Sequence, residues 1–336
     1  MRLLSRPGRV AAQVELHQIL AWYVRGNQST WEGRGTLPFY CDPTRVGAFA
    51  VTRDELAAGR DGALFRLFIT MSMFQALRDV VIMRHQRALA PSSVRALTDL
   101  DFLQKSIARH GCSALLSHQA FETGCDVTKA GGAVDCHRCP SIACHVKDAT
   151  VAFNRMGDMG KLPTSAWLQH WKNGGVRRVL DEVLREEIAP TMRAALLVER
   201  FGRVHRVGRK LATMFVSALS TPALAPGHTP WFPEVDGNDL VVVDTNVARA
   251  VDTLRPANAT RTYEARVQWL RGQAATLDLR KFHRALPRYS PRLVQQALYA
   301  FCSRSNRAAG GDRCASESHA CEECVPKVCP FPTGTR

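Results

Sequence analysis

The segment VHRVGRKLA (residues 204–212), followed downstream by VVVDTNVARAV (residues 241–251), decides how this chain is read. The first piece has the pattern of a tight turn opening a helix, with Gly208 at the turn and Lys210 in the first helical turn. The second is a short apolar run stopped by Asp244, a residue type suited to N-cap the helix that follows. As a pair the two side chains suggest a chemistry. A lysine amine can attack a sugar carbon, and an aspartate can stabilise oxocarbenium-like charge.

Four cysteines near the C-terminus extend the pattern. Cys314, Cys321, Cys324 and Cys329 follow the intervals C-x6-C-x2-C-x4-C. Closely spaced thiolates after a helix suit a four-iron four-sulfur cube, one cysteine per iron, with zinc as the alternative. Taken together, VGRK, VDTNVARA and the cysteine loop resemble the helix-hairpin-helix DNA glycosylases, and most closely the endonuclease III branch. The resemblance covers roughly residues 62–84 and 164–336.

It implies Lys210 as Schiff-base nucleophile, Asp244 as catalytic carboxylate, and a 4Fe-4S cluster on the C-terminal cysteines. Gln75, within SMFQALRD, matches the polar residue that fills the gap left by an extruded base. The implied activity is removal of a modified base from double-stranded DNA, with strand cleavage at the resulting abasic site. Three departures are visible. Arg206 stands where the hairpin's first glycine is expected, a Pro/Gly-rich stretch (Ser220–Asp239) lengthens the path from Lys210 to Asp244, and the last cysteine gap is one residue shorter.

Composition agrees with a polyanionic partner. The 336 residues carry 45 basic against 30 acidic side chains, a net charge of +15. Arg200, Arg203, Arg206 and Arg209 recur every three residues before Lys210, with no acid between them. Arg203, Arg206 and Arg209, with Gly208, are the expected phosphate contacts. A second basic set is Arg280, Lys281, Arg284, Arg288 and Arg292. No apolar run reaches membrane-spanning length, and the first twenty residues lack a secretory pattern, so a cytoplasmic monomer off the membrane is expected.

Eleven cysteines in such a chain argue for metal before disulfides. Five lie in one stretch, His110–Ala149, which has no counterpart in the resembled family: Cys112, Cys125, Cys136, Cys139 and Cys144. Cys136 and Cys139 have the spacing with which two thiolates grip one metal, and Cys144 follows. Cys125 is the expected fourth ligand, ahead of Cys112 and His145. Zinc would staple an insertion poor in large apolar residues, and a second iron–sulfur cluster is the competing assignment.

The remaining pattern is helical: residues 8–25, 62–89, 91–110, 151–200 with breaks, and then 246–254, 262–275 and 291–303. Only Asp239–Val243 is β-like in composition. The expectation is an all-α chain with the helix-hairpin-helix glycosylase fold. Residues 61–244 would form a helical barrel, residues 1–60 and 245–336 an iron–sulfur domain built from both chain ends, and 110–149 a metal-binding insertion. Two rival functions stay open: a monofunctional glycosylase with a water nucleophile, and a non-catalytic DNA-binding protein whose clusters serve structure or redox sensing.

Overall fold

The structure is a computed structural model. It describes residues 7–331 apart from 36, 76, 110, 131–132, 139–143, 154–158, 310–324 and 326. The protein is mostly helical, with 66% helix and 2% strand. Contacts divide it into two compact units, Met1–Thr36 with Ser217–Arg336, and Leu37–Val216. The sequence reading had set its divisions at 60/61 and 244/245.

The first unit is built on the helix Pro7–Trp31, whose Leu16, Ile19, Leu20 and Val24 recur at helical spacing and are buried. It packs on Pro291–Cys302, which is started by Pro291 and by Ser290 accepting a hydrogen bond from Leu293 N at 3.1 Å. Thr245–Leu254 and Tyr263–Ala274 complete the bundle. Trp22 meets Phe301 edge-on at 5.2 Å, and Trp31 Nε1 donates to Ala223 O. Residues 26–31 therefore continue the first helix instead of opening the loop expected after residue 25.

In the second unit the helix Asp61–Ser72 is buried throughout most of its length, with Arg66 reaching out to pair with Glu55 at 2.8 Å. That is the pattern of a central core helix. Phe65, Phe68, Trp171, Phe201 and Phe215 form a continuous aromatic cluster on it. Asp61 also starts a neighbouring helix, Gly175–Glu186, by accepting from Val176 N at 3.1 Å. Gly175, at φ 68°, is required there, because a Cβ would lie 2.3 Å from Asp61 Oδ1.

Three local expectations change. The helix expected over 62–89 breaks after Ser72 and resumes at Asp79–Ala88. The helix expected over 91–110 is two, Pro91–Thr98 and Leu100–Arg109. The first begins on Pro91 with no side-chain cap from Ser92 or Ser93, and Asp99 separates the pair. The cysteine-rich stretch holds two strands, Thr128–Ala130 and Ala133–Asp135, an antiparallel pair with Thr128 opposite Asp135. Asp239–Val243, β-like by composition but too short and isolated to imply a sheet, forms no strand, and within it Val241–Val243 is irregular. It is buried, and its polar backbone is met by side chains, with Tyr263 donating to Val241 O and Gln295 accepting from Val242 N. No helix among the described residues is long and apolar enough to cross a membrane.

Candidate functional site

The turn read from VHRVG joins the helix Pro190–Phe201 to the helix Gly208–Ser220. Two valines fix it. Val204 and Val207 are 2% and 3% exposed, and Val207 N donates to Val204 O at 3.0 Å. With these anchors inward, Arg206 and Gly208 are carried at the surface. Both are left-handed, at φ 63° and φ 55°. A side chain in that region costs about 1–2 kcal/mol, so the turn retains a glycine-like backbone even though an arginine occupies it. Nothing lies within 4 Å of a Cβ built on Gly208. Glycine therefore serves the backbone angle there, and the open space leaves the first N–H groups of the helix approachable by an anion.

Lys210 sits in the first turn of that helix, half-buried, and its Nζ donates to Phe74 O at 3.1 Å. This brings the lysine beside Gln75, the expected gap-filling residue. Gln75 is not on a helix, as its periodicity suggested. It lies in the bend between the helices Asp61–Ser72 and Asp79–Ala88. Its Nε2 donates to Ser72 O at 2.6 Å, and successive short-range bonds from Gln75 N to Met73 O and Leu77 N to Gln75 O tighten the bend.

The basic stripe is less uniform than its sequence. Arg200 bonds Glu182 and Glu186 at 2.7 and 2.5 Å, tying its own helix to Gly175–Glu186, so it is a structural cation. Arg203 pairs with Glu199 across an exposed i,i+4 contact. Such a pair contributes little and can exchange for a phosphate. Arg209 is exposed. Of the second set, Arg280 bonds Asp278, and Arg292 is buried against Ser217, Gln295 and Gln296. Burial pushes the Arg292 guanidinium down to about 10. Arg292 thus belongs to the interior of its bundle, not to a basic face.

Asp244 is the N-cap expected of it: its Oδ1 accepts from Val247 N at 2.8 Å and opens the helix Thr245–Leu254. Lys210 and Asp244 fall in different compact units.

Of the C-terminal cysteines, Cys314, Cys321 and Cys324 lie outside the described residues. Cys329 is half-buried against the first unit's core, pinned by the buried Val325 and Val328. A segment anchored in this way suits a cluster ligand. Cys302 is buried in the same core, where burial pushes its thiol up to about 12. Among the described residues no three Cys, His, Asp or Glu side chains are grouped tightly enough to hold a metal ion. In the insertion, Cys139 lies outside the described residues, while Cys125, Cys136 and Cys144 line one cavity together with Cys112.

Sequence reading missed a polar network beside the turn. His118 and Glu122 come from the short helix His118–Gly124, Ser165 from Lys161–Ala166, and His205 from the turn itself. Glu122 Oε2 lies 3.0 Å from His205 Nδ1, and Ser165 Oγ lies 2.7 Å from Glu122 Oε1. Burial pushes Glu122 up, but bonds from His205 and Ser165 and the charges of His205 and His118 outweigh it and hold the carboxyl below its ordinary range. Only His205, inside the quoted motif, offered a signal. Glu122 and Ser165 are separated from it by 83 and 40 positions, and no local periodicity links them.

Comparison with protein-family models, with curated proteins and with solved structures returns no match.

Proposed function

We propose that the protein is a DNA glycosylase with lyase activity, acting on a modified base in double-stranded DNA. The observation that carries the reading is the turn at Arg206 and Gly208. Left-handed Arg206, at the surface, and left-handed Gly208, which opens the helix, flank the buried Val207, and an oriented lysine follows within the first helical turn. That arrangement offers backbone N–H groups and cations to a phosphodiester, and an amine to the adjoining sugar.

In this reading the turn, with Arg203, Arg206 and Arg209, holds the backbone while the damaged nucleotide rotates out of the stack, at a cost of a few kcal/mol. Gln75, beside Lys210, occupies the vacated space. The Lys210 amine gives its lone pair to C1′, and the glycosidic bond breaks with its electron pair leaving on the base, which takes up a proton. Opening of the sugar gives an imine on Lys210, from which loss of a proton and of the 3′ phosphate cleaves the strand. Asp244, ionised, stabilises positive charge on the sugar. Its Oδ1 also caps the helix Thr245–Leu254.

The C-terminal cysteines are proposed to hold a 4Fe-4S cluster. Cys329 would anchor it to the first unit's core, and the chemistry it supplies is structural. The insertion is proposed to hold a second metal centre. The test is base release from a panel of duplexes, each carrying one modified base. Wild-type protein should release at least one of them, and Asp244→Asn should slow that release about 10²-fold or more while the cap is retained. Binding to every duplex with release from none would leave a DNA-binding protein without the activity.

A further inference from the structure

The second basic set is displayed on a loop of the first unit. Residues 278–290, DLRKFHRALPRYS, carry Arg280, Lys281, Arg284 and Arg288, and no acid follows Asp278. Three apolar side chains decide which way the cations face. Leu279 and Leu286 are 0% and 3% exposed, and the Phe282 ring packs against His17 at 4.6 Å. With these turned to the first unit's core, the four cations between them are carried to the surface. The backbone is stiff. Asp278 Oδ1 accepts from Arg280 N at 3.2 Å and opens a turn in which Phe282 N donates to Leu279 O. Ala285 N donates to His283 Nδ1 at 3.2 Å, and Leu279 N reaches across to Arg288 O at 3.1 Å. Ser290, fully buried, then starts the helix Pro291–Cys302, so both ends are clamped. A backbone fixed in this way loses little freedom on meeting a ligand.

The carboxylates that bear on this surface already have arginine partners. Asp278 is bonded by Arg280 at 2.8 Å, which holds its carboxyl down to about 2, and the Arg288 charge adds to the effect. Asp239 accepts from the Tyr289 hydroxyl and is paired with Arg271 at 2.6 Å. Glu32, near His283, is bonded by Gln28 and Arg34 at 2.8 and 2.7 Å. Among the described residues no carboxylate pairs with Lys281, Arg284 or Arg288. Three like charges on one short loop repel one another, and the chain supplies nothing beside them to offset it. Two of the three are guanidinium groups, whose fork matches phosphate oxygens. No large aliphatic side chain of the loop is exposed beside them, as insertion into a lipid surface would require.

We propose that this loop is a second phosphate-binding surface, on which Lys281, Arg284 and Arg288 contact the backbone of duplex DNA. The turn at Arg206 and Gly208 belongs to the other unit, so each unit carries its own hold on the nucleic acid. The contact is to charge and not to bases, and it adds affinity without sequence preference. It rests on duplex DNA being the ligand of the proposed function, and on nothing that happens at Lys210.

Two measurements on full-length protein test it. In the first, a plain duplex is titrated across salt with Lys281→Gln, Arg284→Gln and Arg288→Gln combined. The slope of log affinity against log salt should fall in magnitude by about 2.7, about 0.9 for each of three phosphates. Between about 50 and 200 mM salt the variant should therefore lose about 40-fold less affinity than the wild type loses. Lys105→Gln with Arg109→Gln, on the exposed face of the helix Leu100–Arg109, is the control for charge removed elsewhere and should keep the wild-type slope. The second measurement needs no variant. Acylation of Lys281 by an amine reagent, followed by mass spectrometry, should slow about tenfold or more under saturating duplex, because a lysine held on phosphate is covered and kept charged. An unchanged slope in the loop variant, an equal loss per charge in the control, or a Lys281 that acylates at one rate with and without duplex overturns the proposal. Binding to phosphatidylserine vesicles that the loop variant loses, with its DNA slope unchanged, would give the loop to a membrane surface and overturn it as well. Failure of the proposed function reads differently: the duplex is bound with the expected dependence on the loop, and no base is released.

Discussion

Replacing Arg206 should move stability and DNA affinity in opposite directions. The residue holds φ 63°, where a side chain costs about 1–2 kcal/mol and glycine does not pay it. Glycine loses more freedom on folding, by roughly 0.5–1 kcal/mol, so Arg206→Gly should be stabilising by something near 0.5–1 kcal/mol. Arg206→Ala is the control. It removes the same guanidinium and its contacts but keeps a Cβ at the same angle, so the alanine-to-glycine difference isolates the backbone. Urea unfolding of the three proteins measures the stability part, through midpoints at constant slope. Titration of a duplex across salt measures the other: both variants should bind more weakly, and the slope of log affinity against log salt should fall in magnitude by about 0.9, one phosphate. Arg206→Gly less stable than Arg206→Ala would refute the backbone argument. Both variants binding DNA with an unchanged salt slope would refute the phosphate contact.

Other consequences follow from the same geometry. Burial pulls His170 down to about 4, with Nε2 donating to Arg200 O at 3.2 Å. The unfolded state therefore takes up the proton first as pH falls. Stability should be fully present above about 6.5 and decline toward 4, by about 2 kcal/mol at pH 5, and His170→Gln should flatten that part of the profile. Cys321→Ser with Cys324→Ser should remove about four irons and four sulfides per chain, measured on protein purified without oxygen. Retained iron with loss of zinc would reverse the cluster assignment. Arg200→Gln should cost stability, because it breaks the tie from Pro190–Phe201 to Gly175–Glu186, and should leave the salt slope of DNA binding almost unchanged. A slope change would put Arg200 back among the phosphate contacts.

What was legible in the sequence was local. The N-cap at Asp244, the helix opening at Gly208 and the inward placement of Leu16, Ile19 and Leu20 are all set by neighbours within a few positions, and each is found where its pattern put it, while Val14 of the same apolar series is exposed. The bend at Gln75 was hidden because Phe74 and Leu77 continue the apolar spacing of Asp61–Ser72. Phe74 is buried as a helix residue would be, but as part of a turn, while Leu77 is 44% exposed. The arginine stripe misled for a different reason. Spacing records which cations share a surface but not the carboxylates brought to them, and Glu182 and Glu186 reach Arg200 from another helix. Glu122, Ser165 and His205 were beyond any pattern, since only the fold joins them.

Borohydride trapping tests the central claim most directly. Wild-type protein mixed with duplex DNA carrying its substrate base, or an abasic site, should become covalently linked when the imine is reduced. Lys210→Gln, which removes the amine without adding bulk, should bind the same duplex and give no adduct. An adduct of wild-type yield from Lys210→Gln, or no adduct from the wild type on any duplex it binds and cleaves, would contradict the assignment of Lys210 as the nucleophile.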